Sequence, residues 1–414
     1  VVIKKLTGGI ERPMIITCNN VTKLPYLEKM RIVAGRGGLN KVIKWVHVME
    51  NPKYTEWLKG GELLLTTGVA IGEDISDLLK FIEDINSRNL SGLVINVGPY
   101  IKEIPEEVIK LGDSLDFPIF ELPFEVGFID ISQSICRSIF TNKIEQESMD
   151  NFMKDIIFND LPVTDEFLNR AISYGYNPQM PYCAFIVKID NFRDFIKNNK
   201  ITDEREALEI KQHVGQVVTD TMNKWNRKVL HTIQNNSIEL MLPIEKRDKE
   251  NDKINNIAKD VIKEVKAKIN DLNVNIGIGD YFVDLKNFRK SIVEAEKVLK
   301  ILPITKEENI GRYKDMGIYR VFFELDKYEE IKSIYEQTLG SIIAYDHELL
   351  DTLEVFIEDG CNLSKTSERL FVHRNTLRYR INKIEEISGK NLRNIDDIFS
   401  FSMALKIGKF LKCI

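Results

Sequence analysis

The sequence predicts a multidomain chain of α/β plus all-α class: an N-terminal α/β domain, a split-βαβ domain and a C-terminal helix-turn-helix. Three observations carry that expectation. Strand-length apolar runs alternate with helix-period segments from Arg31 onward; a second set follows in the order βαββαβ; and a short capped helix, a turn and a longer basic helix end the chain. The length of 414 residues agrees, since domains of about 150 residues would give two or three.

In the first region, Ile43–Val48, Glu62–Thr66, Gly92–Val97 and Pro118–Leu122 read as strands, with amphipathic helices at Ile75–Ile85 and Pro105–Leu115. Such alternation predicts a parallel sheet, whose carboxyl ends fall at Thr66-Thr67-Gly68, Asn96-Val97-Gly98 and Leu122-Pro123. Open α/β sheets bind ligands there. A long helix over Asp130–Ile157 carries Ile131, Ile135, Ile139, Ile144 and Met149, and is expected to connect domains and, with the middle domain, to supply the surface on which copies associate.

The second region runs through strand Tyr182–Ile189, helix Asp203–Trp225, a hairpin from Arg227–Ile233 to Ile238–Leu242, helix Ile254–Ile269, strand Val274–Gly279 and helix Leu285–Ile301. That order is the split-βαβ arrangement of ferredoxin-like and nucleotide-cyclase architectures. The charged run Glu245–Asp252 is expected to be a solvated loop.

Composition sets the function class. The formal charge is −5, from 58 basic and 63 acidic residues, but Cys361–Ile414 holds eleven basic and five acidic residues, a net of +6, leaving −11 on residues 1–360. A basic polyanion-binding module on an acidic body is the implied organisation. The five cysteines include no C-x-x-C pair, so neither a disulfide framework nor a zinc site is expected. No apolar run reaches the ~18 residues of a membrane span, and Val1–Ile16 lacks a signal-peptide core, so a cytoplasmic protein is expected.

In the tail, Glu348–Glu358 reads as a helix ending at Asp359-Gly360; Ser364 is the expected N-cap of a short helix Lys365–Leu370, and a longer helix starts near Arg374 after Phe371-Val372-His373. Leu377, Ile381 and Ile384 share one face of it and must pack inward. At ~100° per residue the opposite face collects Asn375, Arg378, Tyr379 and Asn382, with Arg374 and Thr376 at its start and Arg380 and Lys383 on its flanks. Arginine pairs with guanine and asparagine with adenine in the major groove, while flanking cations and N-terminal amides meet phosphates. With Ser364 and His373, these are the candidate DNA-binding residues.

The run Leu370-Phe371-Val372-His373-Arg374-Asn375-Thr376-Leu377-Arg378-Tyr379-Arg380-Ile381 resembles the C-terminal helix-turn-helix signature of PucR-type (purine catabolism regulator-like) transcription factors. Ala34-Gly35-Arg36-Gly37-Gly38-Leu39, Trp45-Val46-His47 and Trp57-Leu58-Lys59-Gly60-Gly61-Glu62-Leu63 resemble the N-terminal sensory domain of that family, and the middle region resembles its GGDEF-like module. The resemblance spans nearly the whole chain and implies a sensory domain at 20–129, a connecting helix at 130–160, a degenerate GGDEF-like domain at 161–310, connecting helices at 311–345 and a DNA-binding domain at 346–414. Where cyclases carry Asp-x-Asp-x-Phe, this chain has Lys188-Ile189-Asp190-Asn191-Phe192, and its hairpin Gln234-Asn235-Asn236-Ser237-Ile238 lacks the glycine pair and the acidic pair. No catalytic residue, metal or cofactor is therefore expected, and Asp190 is expected to be a surface or capping carboxylate.

Trp45, His47, Glu50, Trp57, Glu62, Thr66 and Thr67 mix aromatic surface with orienting polar groups, and are the candidate small-molecule ligands. The resemblance implies a transcription regulator that binds double-stranded promoter DNA and senses a small metabolite, with purine or nitrogen catabolism one option for the pathway and RNA polymerase one option for a partner; because one short recognition helix reads few base pairs, a homodimer or higher even oligomer is expected. The alternative is a cyclase-derived nucleotide-binding signalling protein with no DNA-directed role.

Overall fold

A computed structural model describes residues 16–71, 75–159, 163–245, 252–305, 309–325 and 328–413. The expectations for Val1–Ile16 and for the interior of the Glu245–Asp252 loop fall largely outside them. The chain divides into two compact units, Val1–Ser148 and Met149–Ile414.

The first unit is built on β1 (Arg31–Ala34), β2 (Trp45–Val48), β3 (Glu62–Thr66), β4 (Gly92–Val97) and β5 (Ile119–Pro123), in the order β1-β5-β4-β3-β2. Strands β2 to β5 are parallel, as their alternation with α1 (Ile75–Ser87) and α2 (Glu106–Ser114) predicts. The sheet is nonetheless mixed. β1, which the sequence reading left unassigned, pairs antiparallel with β5. Four residues with a single fully buried position give too little alternation to register as a strand. β2 is also shorter than the expected Ile43–Val48, because the chain just before it makes an isolated bridge between Thr17 and Val42 instead.

Apolar side chains of β3 to β5 fill both faces: Leu64, Leu93, Ile95 and Ile119 pack with α1 and α2, while Leu63, Leu65, Val94 and Phe120 pack with the start of α3 (Phe128–Phe158). The Gly35-Arg36-Gly37-Gly38 run is explained by a close approach. Gly35 has φ +71°, and a Cβ there would lie 1.9 Å from the Phe117 carbonyl oxygen. Its amide donates to Asp113 Oδ1 at 2.7 Å, so the loop after β1 is fastened to the end of α2.

The long helix corrects the expected seam. Ile131 and Ile135 are fully buried in the core of the first unit and Ile139 packs against it, while Met149 packs against a core of the second unit. Of the five expected seam positions only Ile144 faces outward, at 64% exposure. The others are consumed by the domains that the helix belongs to.

In the second unit, β6 (Tyr182–Ile189), β7 (Leu230–Gln234), β8 (Ser237–Pro243), β9 (Val274–Ile278) and β10 (Ile310–Arg312) form a sheet of order β10-β9-β6-β8-β7. β6 lies antiparallel between β8 and β9, and β8 splits β6 from β7, which is the predicted split-βαβ topology. Helices α6 (Glu204–Lys224) and α7 (Lys253–Lys268) cover one face. Phe152, Met153 and Ile157 of α3, with α4 (Asp165–Ser173) and α8 (Phe288–Thr305), cover the other. The short α5 (Phe192–Asn198) follows β6.

The remainder is helical: α9 (Ile318–Glu324), α10 (Tyr328–Tyr345), α11 (His347–Glu358), α12 (Leu363–Arg369), α13 (Arg374–Ser388) and α14 (Ile395–Leu411). Leu339 and Ile342 of α10 enter the core formed by Leu353, Phe356, Leu377, Ile384, Phe401 and Ala404, so α10 does more than connect: it is a wall of the helix-turn-helix. Ile301 at the end of α8 shares a smaller core with Tyr319, Phe322, Ile407 and Phe410.

Candidate nucleic-acid interface

Helix α13 is positioned from beneath. Leu377, Ile381 and Ile384 are buried against α10, α11 and α12, each within 8% exposure. At 3.6 residues per turn, this forces the other side of the helix outward. Arg374, Asn375, Thr376, Arg378, Tyr379 and Asn382 are all exposed, Tyr379 at 67%. Their side chains make no hydrogen bond or ion pair with any described residue, so their donors and acceptors remain free for a ligand.

The ends of the helix are set by local chemistry. His373 is the N-cap: its Nδ1 accepts from the Asn375 amide at 3.3 Å. Gly389, at φ +67°, ends the helix in the left-handed conformation. In the preceding helix the expected cap is corrected. Asn362, not Ser364, caps α12, its Oδ1 accepting from the amides of Ser364 and Lys365 at 3.0 and 3.1 Å, while Ser364 lies within the first turn. Both residues are capable caps; Asn362 is the one at the boundary, in extended conformation. The turn itself exposes Phe371 at 96%, with φ +53°, an aromatic surface that the sequence reading treated only as turn.

Two expected contact residues are turned inward. Arg380 pairs with Glu348 of α11 and donates to Thr352 Oγ1 at 3.2 Å, and its side chain is only 16% exposed. Lys383 donates to Glu386 at 3.0 Å and lies over the Tyr345 ring, 5.1 Å from its centroid, and the hydrogen bond to Glu386 holds its ammonium pKa above the usual lysine value. Neither partner of Arg380 lies on α13, so the helical wheel could not show what it touches, whereas Lys383 pairs with Glu386 one turn along its own helix. Another ion pair set braces the turn. Asp359, at the end of α11, has a side chain 1% exposed between Lys365 and Arg369 of α12, each at 3.2 Å. Burial would raise its carboxyl, but the hydrogen bonds and charges of those two cations outweigh it and hold the pKa below the usual carboxylate range.

The seven candidates in the first sheet do not form one pocket. Glu50, Thr66 and Thr67 meet at the carboxyl ends of β2 and β3: the Thr67 hydroxyl and amide donate to Glu50 at 2.8 and 3.1 Å, and the Thr66 hydroxyl at 3.3 Å. Trp45 and Glu62 are paired at the opposite, amino ends, roughly 13 Å away at ~3.3 Å per residue. Glu62 is buried and accepts from the Lys59 amide at 2.8 Å, while its Oε2 has no partner. Trp45 is edge-on to Phe140, Trp57 stacks on Tyr54, and His47 is half-buried on β2. A cleft among the described residues of this unit lies elsewhere, about 340 Å³ in volume between the loops that follow β2 and β3 and helix α1, lined by Asn51, Lys53, Ile71, Asp77, Lys80 and Phe81 among others. None of the seven lines it. The signal that could have found it is the strand-end rule carried three to five residues past β2 and β3 and on to the facing side of α1.

In the middle sheet, Lys188 at the end of β6 lies opposite Ser237, beside the Gln234–Ser237 turn, where Asn235 has φ +49°. A lysine and three amide-bearing residues thus surround the position where cyclases carry acidic ligands; Asp190 is exposed. Among the described residues no cluster of His, Cys, Asp and Glu could hold a metal ion, and no helix is long and apolar enough to cross a membrane.

Comparison with known proteins finds three family matches along the chain. Residues 20–139 match the purine catabolism regulatory protein-like family, 159–301 the GGDEF-like domain and 349–407 the PucR C-terminal helix-turn-helix domain. The purine catabolism regulatory protein of Bacillus subtilis is 22% identical, over 95% of this chain and 99% of its own length. The proline-responsive transcriptional activator PutR of the same organism is 26% identical over 71% of this chain and 68% of its own, and the transcriptional activator PmfR of Paenarthrobacter nicotinovorans is 19% identical over 91% and 94%. With all three domains present in order on one chain, the protein belongs to the PucR family of helix-turn-helix regulators.

Proposed function

We propose that the chain is a sequence-specific DNA-binding transcription regulator, acting as a homodimer or higher even oligomer and controlled by a small metabolite. The observation that carries this reading is the outer face of α13, where six polar or aromatic side chains stand exposed and unpaired over a packed core. Asn375 and Arg378 read base edges, Arg374, Thr376, Tyr379 and Asn382 complete the groove-facing surface, and His373 sets the start of the helix. Arg380 and Lys383 hold the helix in place, and Ser364 contributes only from within α12. The proposed DNA-binding domain spans 346–414, with α10 as its supporting wall.

The metabolite is sensed by the first domain, within 20–129. Its cleft falls within the ~300–1,000 Å³ of small-molecule sites and mixes Asp77 and Lys80 with Ile71 and Phe81, a lining suited to a small polar compound with an apolar part. Two relatives are named for purine catabolism and for proline, which supports a nitrogen-bearing metabolite. The middle domain, with Lys188 in place of an acidic ligand, serves as a structural module without cyclase chemistry.

Titration of the full chain onto promoter DNA from its own genetic neighbourhood, at several salt concentrations, tests the central claim. Specific binding should weaken steeply as salt rises. Absence of salt-sensitive binding under every metabolite condition, or GTP turnover with Mg²⁺, would favour the nucleotide-signalling alternative.

A further inference from the structure

Between its two ends, α3 is bare: Thr141–Ser148 contains no buried residue. Along one exposed face Arg137, Phe140, Ile144 and Glu147 recur at intervals of three, four and three, the spacing of a coiled-coil seam. Phe140 is 49% and Ile144 64% exposed. Arg137 and Glu147 make no ion pair with any described residue. The stripe reads cation, apolar, apolar, anion. Phe140 also touches Trp45, itself 45% exposed on the edge strand β2, where Val48 is exposed too, so the apolar area extends onto the sheet edge.

The charge order selects the occupant. A second copy laid antiparallel across this face, about a two-fold axis level with Asn142, brings Phe140 onto the partner's Ile144 and Arg137 onto the partner's Glu147, and symmetry repeats both contacts. A parallel copy would place arginine on arginine and glutamate on glutamate. We infer that the Arg137-Phe140-Ile144-Glu147 face of α3 is the surface on which two copies of this chain associate, helix to helix and antiparallel. Lys143 flanks the axis on the solvated rim, where like charges are screened. This inference rests on the paired-copy reading above and gives it a surface that keeps Ile144 alone of the five positions the sequence pointed to, joined by Arg137, Phe140 and Glu147.

Sedimentation of the full chain over a concentration series tests it with Arg137→Glu, Glu147→Arg, the double reversal R137E/E147R and Ile144→Glu. All three positions are exposed, so the fold should persist, with unchanged circular dichroism. Each single reversal should weaken the dimer roughly tenfold, the double reversal should return it to within about threefold of the parent, and Ile144→Glu should weaken it roughly a hundredfold. A dimer indifferent to the single reversals and to Ile144→Glu, or no recovery in the double reversal, overturns the seam while the paired-copy reading stands. A parent chain that is monomeric both free and on DNA overturns both.

Discussion

The outer face of α13 and the carboxyl ends of β2 and β3 both concentrate polar side chains, and they use them in opposite ways. On α13, the side chains of Asn375, Arg378 and Asn382 make no hydrogen bond or ion pair with any described residue, and the helix is held by the apolar side beneath. At the strand ends, Glu50 accepts from two threonine hydroxyls and a backbone amide, and Thr66 in turn accepts from the Gly68 amide. A group whose hydrogen bonds are satisfied internally has little left for a ligand; one held out on a rigid scaffold without partners has all of it. Polar composition alone cannot separate the two.

That contrast can be broken first at its buried side. Glu50→Ala leaves the Thr66 and Thr67 donors without their acceptor and should destabilise the first unit by about 2–4 kcal/mol, read as a lower denaturation midpoint with DNA affinity unchanged. A normal midpoint with a lost metabolite response would instead restore Glu50 as a ligand.

Glu239 of β8 is a third kind of polar residue, 5% exposed and with Oε2 unpartnered. Burial first, and then the nearby Glu296 carboxylate, push its carboxyl up to about 7 from an ordinary 4.5. Since the folded-state value is raised, the unfolded chain gives up this proton first as pH increases. The contribution to stability should therefore decline between about pH 4.5 and 7 and level off above. Glu239→Gln should remove that part of the slope and stabilise the middle domain at pH 8 by on the order of 2–3 kcal/mol, measured by denaturant melts at each pH. Parallel pH profiles for parent and variant would show that Glu239 finds solvent or a partner.

On the exposed side, Asn375→Ala and Arg378→Ala should each cost about 1–3 kcal/mol of DNA affinity, concentrated at particular base positions, without lowering stability. Equal losses on every sequence would mean that this face meets phosphates. The smallest effect belongs to Arg380→Gln, which breaks the pair with Glu348 across α11 and α13. It should lower tail stability by about 0.5–1 kcal/mol and weaken binding alike on all sequences, as measured by melting and by competition with unrelated DNA. A base-specific loss from Arg380→Gln would return that residue to the groove.

Much of this chain was legible in one dimension. The parallel run β2 to β5, the split-βαβ order, the α12–α13 pair and the inward face Leu377, Ile381, Ile384 all follow from local periodicity, because backbone geometry fixes where each side chain of a helix or strand points relative to its neighbours. For the same reason Asn375, Arg378, Tyr379 and Asn382 could be placed on one face before any contact was known. Tertiary structure alone decided what depends on residues far apart in sequence. Arg380 is drawn inward by Glu348, thirty-two residues before it; Ile131 and Ile135 are taken into the first core and are not left for a partner; Glu50 closes on Thr66 and Thr67; and the short β1 exists by pairing with β5. Each turns on which groups the fold brings within hydrogen-bonding or van der Waals reach, and such short-range forces act between neighbours in space, whatever their separation along the chain.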